Sequence, residues 1–162
     1  MNKKVAEFGI FLSLALILSY VESLIPFNFG IPGIKLGLAN LVIVIFLYRA
    51  SFKEALMLSI LRVLVAGFMF GNMMMILYSL SGAVLSLLVM YGLKRLDKNS
   101  IIGISMAGGV AHNMGQLLVA VLVVETLQIT YYAPVLLIAG LVTGLLIGSV
   151  ATEVIKRIKN IR

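Results

Sequence analysis

The chain has 162 residues, of which 62% are hydrophobic and 12% charged, and its net charge is +7. Soluble domains contain about 45–50% apolar and about 25% charged residues, and a soluble fold of this size has too little interior to bury so much apolar surface. The composition therefore excludes an ordinary soluble protein, and it indicates one membrane domain over residues 1–162. No cysteine is present, which excludes disulfides and thiolate metal sites.

Six apolar segments follow one another along the chain, and a membrane-spanning helix needs about 20 mostly apolar residues. The sequence thus predicts an all-α integral membrane protein with six transmembrane helices. The predicted helices cover residues 5–25, 34–48, 52–70, 73–93, 101–126 and 133–155.

The basic residues predict the orientation of these helices. Positive residues concentrate on the cytoplasmic side of membrane proteins, and the prediction places both termini there. Lys35 then lies outside and Arg62 lies within a helix, whereas all other basic residues lie at inner ends. Those inner residues are Lys3, Lys4, Arg49, Lys53, Lys94, Arg95, Lys98, Lys156, Arg157, Lys159 and Arg162. We therefore attribute the positive charge to membrane topology rather than to nucleic-acid binding.

Arg62 lies near the middle of the third predicted helix, at a depth where a charged side chain is costly. It should face the bundle interior or a water-filled cavity. It either contacts a ligand or partner, or it ties helices together through carbonyls or a carboxylate.

The fifth predicted helix carries the densest group of uncharged polar residues. His112 and Gln116 share one face because they are four residues apart, and Asn113 lies beside them. This group either binds a small ligand or forms hydrogen bonds between helices, as polar groups in membranes commonly do.

Further candidate ligand-binding residues lie near the outer side. Lys35 and Asn40 would lie at the mouth of a site, beneath a first loop rich in proline, glycine and aromatic residues that could fold over a ligand. Tyr78 could line an outer cavity, and Glu125 ends the fifth helix on this side. An ion pair from Lys35 to Glu22 would be a structural alternative.

Small residues on the first helix could form a contact face for another helix. The pairs Gly9/Ser13 and Ala15/Ser19 each have the four-residue spacing that lets two helices approach closely. This face could serve a partner subunit or internal packing.

Signatures of several enzyme classes are missing from the sequence. No phosphate-binding Walker loop occurs, and Asp97 is the one aspartate. Diphosphate chemistry commonly uses clustered carboxylates to hold Mg²⁺, and one histidine is poor evidence for a metal site. We predict no cofactor, no metal and no catalytic activity.

Three motifs resemble the family called Gx transporter, also labelled heptaprenyl diphosphate synthase component I. They are residues 31–40 (IPGIKLGLAN), 61–64 (LRVL) and 109–116 (GVAHNMGQ), and with the six-helix plan they extend over nearly the whole chain. That family in turn is similar to the substrate-binding S components of energy-coupling factor (ECF) transporters.

The resemblance implies the fold of an S component in a prokaryotic plasma membrane. It implies a membrane scaffold subunit and two cytoplasmic ATPases as partners, and a vitamin or cofactor precursor captured from outside. The family's second label implies instead a non-catalytic membrane accessory subunit of a prenyl-chain synthase in isoprenoid or menaquinone synthesis. A stand-alone channel or facilitator is a third possibility.

Overall fold

The computed structural model describes residues 3–25 and 36–160, and in these ranges the chain forms six α-helices, one 3-10 helix and no strand. The all-α prediction is confirmed. The helices are α1 (Lys3–Leu24), α2 (Leu38–Arg49), α3 (Phe52–Phe70), α4 (Met73–Arg95), α5 (Ile101–Val124) and α6 (Ala133–Asn160), with the 3-10 helix at Leu127–Tyr132 before α6.

The helix boundaries differ from the predicted ones where local backbone geometry intervenes. Helix α2 begins at Leu38 because Gly37 adopts a left-handed conformation, with a φ of 73°. Helix α5 ends at Val124 because Glu125 is also left-handed, with a φ of 53°. A 3-10 helix, which the sequence did not predict, then leads into α6, and α6 continues to Asn160 instead of residue 155.

Four helical segments are long and apolar enough to cross a membrane. They are α1, α4, α5 and the run Leu127–Ile158. Helix α2 has 12 residues, and at about 1.5 Å per residue it is much shorter than a hydrocarbon core about 30 Å thick. Helix α3 is not among these four segments, and three charged residues, Lys53, Glu54 and Arg62, lie within its 19 residues. The chain is therefore a membrane protein with two atypical helices.

The helices pack side by side in a closed ring. Helix α1 contacts α2 and α3, α2 contacts α6, α6 contacts α5, α5 contacts α4, and α4 contacts α3. Helix α2 is buried on all sides, since Val42, Ile43, Val44, Ile45, Phe46 and Leu47 are each at most 6% exposed. Because the protein itself surrounds this apolar helix, α2 does not have to match the thickness of the lipid, and 12 residues suffice.

Polar contacts hold the basic end of the bundle together. Arg49, at the end of α2, forms an ion pair with Glu7 of α1. Lys94 of α4 donates a hydrogen bond to the Leu47 carbonyl at 2.6 Å and lies 4.8 Å from the centre of the Tyr48 ring. The C-terminal end of α2 is thus fixed to both α1 and α4.

Glycines let α5 and α6 approach until their backbones touch. Gly140, Gly144 and Gly148 recur every four residues on α6, a spacing typical of close helix pairs. A Cβ atom on Gly144 would lie 2.6 Å from Met106 Cα, and one on Gly109 would lie 2.3 Å from the Gly140 oxygen. These contacts allow no side chain on either glycine.

We predict that Gly144→Ala destabilises the protein, because the new methyl group meets backbone atoms that cannot rotate away. Overpacking of this kind costs about 1–3 kcal/mol. The matched control is Gly92→Ala on α4, where a Cβ would meet no atom within 4 Å. Thermal unfolding in detergent should show a lower Tm for Gly144→Ala alone, and equal Tm values for the two variants would contradict the contact.

Candidate functional site

A cavity of about 380 Å³ lies inside the ring of helices, and all six helices contribute residues to its wall. Glu22 of α1, Gly37 before α2, and Gly71 and Met75 around the α3–α4 turn mark one end. Toward the opposite end the wall includes Ser86 and Met90 of α4 and Ser105 of α5. Its volume lies within the range of small-molecule pockets, about 300–1,000 Å³.

Arg62 contributes the buried positive charge of the cavity wall. Its Nη2 donates a hydrogen bond to Asn40 Oδ1 at 3.0 Å, so the first turn of α2 orients the guanidinium. Its Nε is buried and has no hydrogen-bond acceptor among the residues that the structure describes. In the same residues the ion pairs within 4.0 Å are Arg49–Glu7 and Lys156–Glu153, so no carboxylate there contacts Arg62 directly.

Glu22 reaches the cavity from the end of α1. Its carboxylate accepts a hydrogen bond from the backbone N–H of Gly37, which is the N-cap residue of α2. The negative charge of Glu22 also acts on the Arg62 guanidinium through space. Of the described residues, the cavity wall thus contains one cation and one anion on different helices, without a direct ion pair between them.

His112 and Gln116 line the cavity from α5, as their four-residue spacing predicts. They fit against Gly82 of α4, whose Cβ position would lie 2.9 Å from Gln116 Cγ and 3.1 Å from His112 Cε1. Gln116 Oε1 is buried and has no hydrogen-bond donor within the described ranges. The small size of Gly82 therefore creates the space that both side chains occupy.

Asn113 lies at the cavity wall, but its side chain forms a hydrogen bond to another helix. Its Nδ2 donates a hydrogen bond to the Leu136 carbonyl of α6 at 2.8 Å. The interhelical role is thus shown for Asn113, which ties α5 to α6, and ligand binding by Gln116 at the same cavity wall stays a prediction.

Three of the proposed ligand-binding residues are not among those that the structure places at the cavity. Tyr78 is absent from the wall, to which its neighbour Ser79 contributes instead. Glu125 is exposed at the end of α5. Lys35 lies outside the described residues, as does the loop 26–33 that was predicted to cover a ligand.

The small residues of α1 fall on two different faces. Gly9 and Ser13 are exposed, and a Cβ on Gly9 would meet no atom within 4 Å. Ala15 is fully buried in the protein's own core, and Ser19 lines the cavity and donates a hydrogen bond to the Ala15 carbonyl. In this conformation Ala15 and Ser19 pack internally, so the surface left for a partner is the Gly9/Ser13 face.

Sequence reasoning missed several residues that shape the cavity. Ser86, Ser105 and Thr143 bring hydroxyl groups to the wall, and Gly144 belongs to it as well. The four-residue glycine repeat on α6 is the sequence signal that would have identified the tightly packed side. The scattered hydroxyls carry no comparable pattern.

Within residues 3–25 and 36–160, no group of three His, Asp or Glu side chains lies close enough together to hold an ion. The cavity can instead offer a guanidinium, amides, an imidazole and hydroxyls to an organic ligand.

We predict that Arg62→Met leaves the ligand-free protein as stable as the wild type or more stable. A buried charge without a direct ionic partner carries a desolvation cost that an apolar side chain of similar length does not. Arg49→Met is the comparison, since it breaks an ion pair at the bundle end and should cost at most about 1 kcal/mol. A large fall in the Tm of Arg62→Met would show that Arg62 is a structural tie.

The chain was compared with known families, curated proteins and solved structures. No curated protein and no solved structure matches it. The family model described as heptaprenyl diphosphate synthase component I matches residues 11–154, which include the cavity-forming parts of all six helices. The chain therefore belongs to the heptaprenyl diphosphate synthase component I family.

Proposed function

We propose that this protein is a non-catalytic membrane subunit that binds one small ligand inside its helical bundle and works within a larger complex. The observation that supports this most directly is the cavity around Arg62. It brings together a buried cation and two atoms, Arg62 Nε and Gln116 Oε1, that have no hydrogen-bond partner among the described residues. Intramembrane ionisable residues of this kind typically mark ligand or ion sites.

The proposed topology has six membrane-crossing segments and both termini in the cytoplasm of a prokaryotic cell. Helix α3, with 19 residues, is about 28 Å long and nearly matches the hydrocarbon core. Arg49, the last residue of α2, pairs with Glu7 of α1, and Lys94 of α4 donates a hydrogen bond to the Leu47 carbonyl of α2. Basic residues from distant parts of the sequence therefore share one end of the bundle. The cavity mouth at Glu22 and Gly71 would then face outside.

The first candidate complex is a prenyl-chain synthase, and the family description favours it. The chain would be a membrane accessory subunit in isoprenoid or menaquinone synthesis. Its own carboxylates number six in the whole sequence and form no metal-binding group in the described part. A separate subunit would therefore supply the Mg²⁺-dependent chemistry.

The second candidate complex is an ECF-type uptake transporter, and the internal cavity favours it. A ligand captured from outside would bind at Arg62, and partner ATPases would drive its release inside. The exposed Gly9/Ser13 face of α1 is available for a scaffold subunit, because small residues let a second helix approach closely.

Purification of the tagged full-length chain from its own host membranes should separate the two complexes. A prenyl synthase that co-purifies with it would establish the accessory role, whereas a membrane scaffold with two ATPases would establish the transport role. The control is a Gly9→Leu/Ser13→Leu variant, which should lose the scaffold but keep its fold. If the wild-type chain and the variant are recovered in equal yield and neither co-purifies with a partner, membership in a complex is contradicted.

We predict that a His112→Ala/Gln116→Ala variant folds but loses ligand binding. Both side chains line the cavity, and truncating them removes hydrogen-bonding atoms from its wall while the backbone contact between His112 and Gly82 remains. The measurement is the rise in Tm caused by a polar extract of host cells. Ser149→Ala, an exposed hydroxyl on α6, is the control and should keep the wild-type response. An undiminished response in the double variant would remove these residues from the site.

A further inference from the structure

We propose that the cavity binds a small polar ligand with a single anionic group, foremost a carboxylate, and an N–H or O–H group, and that it does not accept a prenyl diphosphate. This assignment rests on the proposed ligand-binding function and specifies the chemical class of the ligand.

The anionic group of the ligand would bind Arg62. A buried guanidinium needs acceptors for its N–H groups, because taking it out of water without them is costly. Asn40 supplies one acceptor at 3.0 Å, but it is neutral, and Nε has none among the described residues. A carboxylate at this position would supply the missing acceptor and an anionic partner in direct contact, in the planar geometry that guanidinium groups favour.

The beginning of α2 reinforces this preference. Leu36, Gly37, Ala39 and Asn40 all line the cavity, so the N-terminal turn of a buried half-length helix opens onto it. The N-terminal end of a helix carries a partial positive charge, and interrupted membrane helices use it to bind anionic substrates. The N-cap residue Gly37 has no side chain that could accept a hydrogen bond from the N–H groups of that turn. The Gly37 N–H itself donates to the Glu22 carboxylate.

Glu22 limits the charge that the ligand can carry. Its carboxylate and Arg62 belong to the same cavity wall, so the two fixed charges nearly balance. A diphosphate would bring several negative charges against one cation and a nearby carboxylate. A single negative charge, by contrast, can bind Arg62 while Glu22 remains hydrogen-bonded to Gly37.

Gln116 indicates a hydrogen-bond donor on the ligand. Its Oε1 is buried and finds no donor in the described part of the chain, although it lies in the cavity wall. Leaving such an acceptor unpaired is costly, so a ligand N–H or O–H at this point would add affinity.

Hydroxyl groups reach the inner end of the cavity, where they lie beside the apolar residues Val44 and Met90. The buried hydroxyl residues Ser86 and Ser105 lie at the far end from Glu22. A prenyl chain in this position would place apolar atoms against these two hydroxyl groups, which a polar ligand could pair instead.

The test compares defined fractions of a host-cell extract for their effect on the Tm of the purified protein. The polar extract is divided on an anion exchanger into retained and unretained fractions, and farnesyl diphosphate is tested separately. Molecules with a single negative charge elute from the exchanger at low salt. The retained molecules that elute in this way should raise the wild-type Tm by about 5 °C or more at saturation. It should not change the Tm of Arg62→Met, whereas Arg95→Met, an exposed cation outside the cavity, should respond as the wild type does.

Each other outcome contradicts the assignment in a distinct way. Stabilisation by the unretained fraction, or equal stabilisation of Arg62→Met, would overturn the anionic ligand but leave ligand binding intact. Stabilisation by farnesyl diphosphate that depends on Arg62 would overturn the exclusion of prenyl diphosphates. If no fraction stabilises the wild type, both this inference and the proposed ligand-binding function fail.

Discussion

The interior of this bundle is organised around one buried cation. Arg62 lies in the middle of α3, and its Asn40 contact is neutral. A membrane domain has little water to solvate such a group, so the surrounding helices must leave it either a partner or a polar cavity. The cavity bounded by all six helices is the arrangement that this chain adopts.

The cavity depends on unequal packing on its two sides. Helices α4, α5 and α6 approach so closely that backbone meets backbone at Gly82, Gly109, Gly115 and Gly144. The opposite side is formed by α1, α3 and the short helix α2. The first turn of α2 lines the cavity through Ala39 and Asn40, and the end of α1 lines it through Glu22. Tight packing on one side and these helix ends on the other thus bound an internal space with polar groups.

Much of this could be predicted from sequence, because the bilayer imposes simple rules. Apolar runs of about 20 residues predicted most of the helices, and the cost of burying charge pointed to Arg62. The four-residue spacing correctly placed His112 and Gln116 on one face. The helical period alone does not show which side of α4 faces inward, and of the adjacent residues Tyr78 and Ser79 it is Ser79 that lines the wall. The same limit applies to Ala15 and Ser19, whose small size fits an internal contact as well as an external one.

Sequence also could not separate two roles for amides of similar chemistry. Asn113 and Gln116 are three residues apart, yet one is bound to the Leu136 carbonyl and the other faces the cavity. That difference depends on the neighbouring helix, where Gly82 makes space for Gln116. Side-chain environment across helices, rather than local pattern, decides which polar residues remain free to bind a ligand.

The most direct test of the central claim is whether water reaches the cavity from outside the cell. Because the natural chain has no cysteine, a single thiol can be placed at Ser79 on the cavity wall and at Ser149 on the exposed face of α6. The account predicts that a membrane-impermeant maleimide added to intact cells labels Ser79→Cys, and that a polar host extract protects it. Ser149→Cys should stay unlabelled. The contrary result is that Ser79→Cys is not labelled in intact cells but is labelled once the reagent can reach the inner face of the membrane. That result would contradict an outward-facing ligand cavity.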